Sequence, residues 1–298
     1  MKLSIVVVAY NMARELPRTL LSLSPAIQHG ISSDGYEIII VDNGSDPPAA
    51  IDAPWAGTRL VRIDNAQPSP AAAINTGLEI ATGDLVGVMI DGARLASPGL
   101  IAGALRASAI HKRPVIGTLG FHLGSDVQMK TVATGYDAQE EDRLLAESGW
   151  ASDGYRLFDI SVFAGSSAHG WFAPIAESNA LFMPAGLWDE LGGYDERFVS
   201  PGGGLVNLDT YSRACALPDS QLVILLGEGT FHQIHGGVAT NAPSRPGQAF
   251  HEEYVRVRGV KYQVPQADPV YVGRVAEPVL DHLGESVELA RKYRLRTD

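Results

Sequence analysis

The run Leu3–Ala9 is rich in Val and Ile, and Ser4 is its only polar residue. A strand with one face in water alternates apolar and polar residues; a strand covered on both faces has no need to. Tyr36–Val41 and Leu85–Ile90 repeat this character further along the chain, and Leu60–Ile63 reads as a short strand between them. The segments between them carry helix signals instead. Leu16, Leu20 and Leu23 recur at helical spacing, with Pro17 suited to a first turn. Ser69-Pro70 opens a helix that ends at Gly83, and Ser97-Pro98 opens another that runs to about Lys112. Such alternation predicts an α/β fold, a mainly parallel sheet with helices on both faces.

The remainder is less regular. Residues 120–175 have scattered Gly, Ser and Asp and read as an insertion with weak elements. Strands are expected at Asn179–Met183 and Leu222–Leu226. Helices are expected at Pro184–Leu191, closed by Gly192-Gly193, and from about Leu205 to Ala216. Asn241–Gly247 is polar and Pro-rich, and a last helix is expected from about Glu277 to Arg294. The division that follows is one domain over 1–240, with halves of about 1–120 and 121–240, and a C-terminal extension, 241–298, bearing a helix.

Composition excludes several classes. The 298 residues hold 23 Lys+Arg against 34 Asp+Glu, a net charge of −11, which argues against nucleic-acid partners. An anion site in such a chain must supply its own cation: a metal, an arginine or a helix N-terminus. The single cysteine, Cys215, excludes an intrachain disulfide and a Cys-rich zinc cluster and fits a reducing compartment. The apolar runs fall well short of the ~18 residues of a spanning helix. The N-terminal run reads as a first strand rather than a signal peptide. A cytoplasmic location is expected, with the inner face of the membrane as the variant of it. The basic residues Arg291, Lys292, Arg294 and Arg296 read as a solvated helix face, with peripheral membrane contact as the alternative.

In parallel α/β sheets, ligands bind beyond the carboxyl ends of the strands. Three such ends are polar here: Ala9-Tyr10-Asn11, Asp42-Asn43-Gly44-Ser45 and Asp91-Gly92-Ala93-Arg94. A tyrosine can stack a base, a carboxylate can take ribose hydroxyls, and a second carboxylate can hold a divalent metal against phosphates. One Asp after a strand is commonly a turn residue; three polar ends in this order point to a nucleotide-diphosphate site.

These segments, with Ala73-Ile74-Asn75-Thr76-Gly77, Ala81-Thr82-Gly83-Asp84 and Gly192-Gly193-Tyr194-Asp195-Glu196-Arg197-Phe198, resemble family 2 glycosyltransferases over roughly residues 1–237. The resemblance implies a GT-A fold, with a Rossmann-like sheet, and an inverting transfer of a hexosyl group. The donor would be a nucleotide-diphosphate sugar, and the acceptor a hydroxyl of a glycan or lipid-linked molecule, in glycan or polysaccharide synthesis. By position it implies nucleotide contacts from Ala9, Tyr10, Asn11, Asp42, Asn75, Asp91, Gly92 and Arg94. It also implies a divalent metal, Mg or Mn, at Asp91.

The chain departs from the pattern twice. The last acid of the Asp-x-Asp metal motif is Ala93, so two substitutes stand open. Arg94 can meet the diphosphate directly, or a histidine of Phe231-His232-Gln233-Ile234-His235-Gly236-Gly237 can join Asp91 on the metal, His235 ahead of His232. The Glu-Asp pair that carries the base reads Leu208-Asp209 here, which makes Asp209 the expected general base. Its other reading is an acid stabilising a helix N-terminus. The glycines of Gly202-Gly203-Gly204 before it are expected to form a closing loop. Trp171, Glu177, Asn179 and Asp195 are expected at the sugar and acceptor pocket. A nucleotidyltransferase or a dinucleotide-binding enzyme would need a Gly-rich loop after the first strand, which Tyr10-Asn11-Met12 does not provide. The alternative of another class is a non-catalytic protein that keeps the fold to bind nucleotide or sugar or to act as a scaffold. The donor sugar and the oligomeric state are left open by the sequence.

Overall fold

A computed structural model describes residues 2–51, 57–236 and 247–297. The first third reads β1 (Leu3–Ala9), α1 (Leu16–Ser22), β2 (Tyr36–Asp42), β3 (Thr58–Arg62), α2 (Ala71–Ile80), β4 (Leu85–Met89), β5 (Arg94–Ala96) and α3 (Leu100–Ser108). The middle adds β6 (Pro114–Leu123), α4 (Gln128–Thr131), α5 (Ala138–Ser148), β7 (Ser161–Phe163), β8 (Ala180–Pro184) and α6 (Ala185–Leu191). The chain continues through α7 (Val206–Cys215), β9 (Gln221–His232), α8 (Gly247–Arg258), β10 (Val270–Gly273) and α9 (Leu280–Thr297).

The strands order as β10-β9-β6-β8-β4-β1-β2-β3. β4, β1, β2 and β3 run parallel, as do β6, β9 and β10; β8 lies antiparallel between the two groups. The sheet is therefore mainly parallel, and the carboxyl ends of β1, β2, β4, β6 and β9 share one edge. The antiparallel β8 begins at that same edge, because Ala180 pairs with Met89.

Side chains alternate across each strand, so the sheet has a core on both faces. Leu3, Ile5, Val7 and Ala9 pack with α1 and α3 through Leu16, Leu20, Leu100 and Ala104. Val6, Val8, Ile39 and Val41 pack on the other face with α2 and with Trp188 of α6. Gly77 sets the α2 approach: a Cβ there would lie 2.3 Å from Val6 Cγ1. Ala in its place would push the helix off the sheet.

The sequence underestimates the middle and C-terminal parts. β6 and the length of β9 were not expected; β6 is the partner that extends β9 from Gln221 to His232. The stretch after 247 adds β10 to the same sheet, beside β9. The Pro-rich residues 241–246 and Gly237 lie outside the described residues. Among the described residues no helix is long and apolar enough to cross a membrane.

Candidate active site at the carboxyl edge of the sheet

At the end of β1, Tyr10 is exposed (55%). Asn11 takes a positive φ of 53° and ties two loops together. Its N–H donates to Ser45 Oγ at 2.9 Å, and its Oδ1 accepts from Asp46 N–H at 2.8 Å. Asp42 is buried, and its carboxylate is committed inside this loop. It accepts from the N–H groups of Ser45 and Ala49 and from Arg62 Nη1 at 2.7 Å. Burial alone would raise its pKa, but the Ser45 and Ala49 hydrogen bonds and Arg62 outweigh it and hold the group below its ordinary value. Asp42 thus shapes the loop under Tyr10. Ala9 contributes its carbonyl to Asn43 N–H at 2.8 Å, and Gly92 its carbonyl to Thr19 Oγ1 at 2.7 Å.

Asp91, His232 and His235 converge. One ligand atom from each lies within 4.8 Å of the others, and the two Nε2 atoms are 3.1 Å apart. The β5–β9 pairing creates this meeting by placing Arg94 opposite His232. Gln128 fixes the His232 tautomer. Its Nε2 donates to the His232 carbonyl at 2.8 Å, so its Oε1 must accept from His232 Nδ1–H, at 2.6 Å. The lone pair of His232 is then on Nε2, facing His235. Burial, with Arg94 nearby, holds the His232 pKa well below its ordinary value, so the ring is neutral. Two imidazoles and a carboxylate, one ring oriented by an amide, form a donor set suited to a divalent cation. Asp91 Oδ2 accepts from Arg94 Nε at 2.9 Å, and Arg94 Nη1 is buried with no hydrogen-bond partner.

The insertion braces this cluster. Glu141, fully buried, accepts from Ile234 N–H at 2.9 Å and from the Tyr136 hydroxyl at 3.1 Å, and pairs with Arg14. His122 Nδ1 accepts from Gln128 N–H at 2.9 Å.

Several expected site residues are placed elsewhere. Asn75 clasps the turn after α6: its Nδ2 donates to the Tyr194 carbonyl and to Glu196 Oε1, and its Oδ1 accepts from Tyr194 N–H. These bonds consume its side chain away from the strand ends. Trp171 is 1% exposed, with its indole N–H on the Leu225 carbonyl and its ring among Phe121, Phe158 and Phe163. It is core, and offers no face to a sugar. Asp209 is fully buried: Arg213 Nε reaches Oδ2 at 2.8 Å, and Arg258 takes Oδ1 at 2.5 Å and Oδ2 at 2.6 Å. Both of its oxygens are thus occupied by guanidinium groups, and neither is open to an acceptor hydroxyl. Asp195 pairs with Arg197 and Arg258, which hold its pKa far below the ordinary value against the effect of burial. It lines a polar cleft of about 450 Å³ with Asn75, Arg197, Arg213 and Arg258. The glycine loop is pinned rather than free: Gly202 N–H bonds the Pro68 carbonyl, and Glu253 accepts from Val199 and Ser200 N–H. Its three glycines supply positive φ values of 70°, 84° and 54°. Glu177 and Asn179 do lie at the sheet edge, both within reach of Asn207.

Residues 4–105 match the family model described as Glycosyl transferase family 2. The fold is that of GT-A glycosyltransferases. TarS 1–349 from S. aureus superposes with a TM-score of 0.51 at 13% identity, covering 97% of this chain and 81% of that one. The same protein in complex with UDP-GlcNAc gives 0.50 at 14% identity, covering 98% and 74%. Mannosyltransferase PcManGT from Pyrobaculum calidifontis, in complex with GDP-Man and Mn2+, gives 0.50 at 17%, covering 97% and 69%. The chain spans 42% of the longer TarS structure. No curated protein sequence matches it.

The Glycosyl transferase family 2 match holds Tyr10, Asp42, Asp91 and Arg94 and stops before every residue that completes the cluster. Gln128, Glu141 and Asn207 were missed by sequence reasoning. Gln128 and Glu141 sit in the insertion, and Asn207 looks like any first-turn helix residue; none carries a local signal.

Proposed function

We propose that the protein is an inverting glycosyltransferase that moves a hexosyl group from a nucleotide-diphosphate sugar to a glycan or lipid-linked hydroxyl in polysaccharide synthesis. The observation that carries this is the meeting of Asp91, His232 and His235 beside the buried, unpartnered Arg94 Nη1. In a chain of −11 charge this edge can still hold a diphosphate. Asp91, His232 and His235 would hold the divalent cation, Mn or Mg, and the bound ion would neutralise charge on the leaving diphosphate. Arg94 gives Asp91 its orientation through Nε and leaves Nη1 for a phosphate oxygen. The two substitutes for the missing second acid at Ala93 therefore act together. Exposed Tyr10 is the stacking face for the base, and Asn11 with Asp42 sets the loop beneath it. The likeness to structures holding UDP-GlcNAc and GDP-Man with Mn2+ supports the donor class.

The locked Asp209 favours a second reading, a non-catalytic protein that binds nucleotide through the same fold. A screen of UDP- and GDP-sugars with Mn2+ decides between them by released nucleoside diphosphate. Release from one donor class supports the transferase; bound nucleotide with no release from any donor supports the binding protein.

A further inference from the structure

A further carboxylate at this edge is Glu177, just before β8. The β4–β8 ladder pairs Met89 with Ala180, and Ile90 N–H meets the Asn179 carbonyl at 3.4 Å. Glu177 thus stands three residues before Ala180, at the same sheet edge at which β4 runs on to Asp91. Glu177 and the proposed cation cluster therefore share the carboxyl edge of the sheet. Asn207, at the start of α7, orients it. The Asn207 Oδ1 accepts from the buried Tyr194 hydroxyl at 3.1 Å, which turns the Nδ2 amide toward Glu177 Oε2 at 2.7 Å and the Ser178 carbonyl at 3.2 Å. The second oxygen, Oε1, has no hydrogen-bond partner among the described residues, and the side chain is partly exposed. Glu177 is thus held at one oxygen and available at the other. Asp209 is the opposite case, with both oxygens under guanidinium groups.

Resting on the glycosyltransferase reading, we propose that Glu177 is the general base and Asn207 its positioning residue. Glu177 takes the acceptor hydroxyl proton while that oxygen bonds to the anomeric carbon. The bond from the anomeric carbon to the diphosphate oxygen breaks, the nucleoside diphosphate leaves with the electron pair, and the proton passes from Glu177 to water.

The test uses the full chain with Mn2+ and the UDP- or GDP-sugar that the donor screen selects, with water and then azide as acceptor. Azide has no proton to lose and needs no base. Glu177→Gln is expected to bind UDP or GDP within about threefold of wild type and to lose about 10²–10⁴-fold in hydrolysis. Azide is expected to restore nucleotide release in this variant, with a glycosyl azide as product. Asn207→Ala is expected to lower hydrolysis about tenfold and leave the azide rate unchanged, whereas a merely structural role would lower both. Wild-type hydrolysis by Glu177→Gln overturns the proposal, and so does a variant that binds nucleotide but is not restored by azide. A wild-type chain that binds nucleotide and releases none overturns it in favour of the binding protein. A wild-type chain that binds neither UDP nor GDP with Mn2+ overturns the underlying glycosyltransferase reading instead.

Discussion

Two carboxylates show how environment, rather than residue type, sets a role. Asp209 anchors Arg213 of its own helix and Arg258 of α8, and so ties that helix to the core. Asp209→Asn leaves two guanidinium groups facing an amide and is expected to cost about 3 kcal/mol of stability, read as a lowered denaturant midpoint. An unchanged midpoint would contradict the anchoring role. Glu228 is buried on β9 and accepts from Ser97 Oγ, the Tyr155 hydroxyl and Gly99 N–H. Burial dominates and pushes its pKa up to about 7. The folded value is thus raised above the unfolded one, so its contribution is fully present below pH ~4.5 and lost as pH rises through about 7. For Glu228 this amounts to stability on the order of 3 kcal/mol. Glu141 is also pushed up to about 7 by burial, so the two act with the same sign. Buried His122 and His232, with lowered pKa values, act with the opposite sign, so Glu228→Gln is expected to shift the slope of Tm between pH 5 and 7.5 upward relative to wild type. A profile parallel to wild type would contradict the assignment.

At the scale of elements, the insertion is a brace for the Asp91, His232 and His235 cluster proposed to hold a cation. β6 carries His122, α4 begins at Gln128, and α5 presents Glu141 to Ile234 N–H between the two histidines. Gln128→Leu removes the acceptor that fixes the His232 tautomer and is expected to weaken Mn2+ binding about 10–100-fold with the fold retained. Mn2+ titration followed by electron paramagnetic resonance reads this, and unchanged affinity would contradict the brace. None of these contacts was legible in the sequence. Gln128 and His232 are 104 residues apart, and the insertion has no periodicity to place them. The strand ends were legible because their signal is local: an apolar run followed by a polar turn marks Tyr10, Asp42 and Asp91 without knowledge of their partners. The surroundings of Asp209 and Trp171 were hidden from the sequence for the same reason. The Arg258 ion pair spans 49 residues, and a tryptophan's burial depends on Phe121, Phe158 and Phe163 from other segments.

For the molecule as a whole, topology does the gathering. Five parallel strand ends and the start of the antiparallel β8 meet at one edge, so Asp91 meets His232 and His235 although the family match ends at 105. With a surplus of 11 negative charges, the proposed diphosphate binding at that edge calls for a local cation. The most direct test is a calorimetric titration of UDP and GDP with and without Mn2+, on wild type, Asp91→Ala and His235→Ala. The expected result is binding by wild type that Mn2+ strengthens at least about tenfold, and loss of that strengthening in both variants. Binding that ignores Mn2+, or that Asp91→Ala and His235→Ala leave intact, would contradict the cation site on which the account rests.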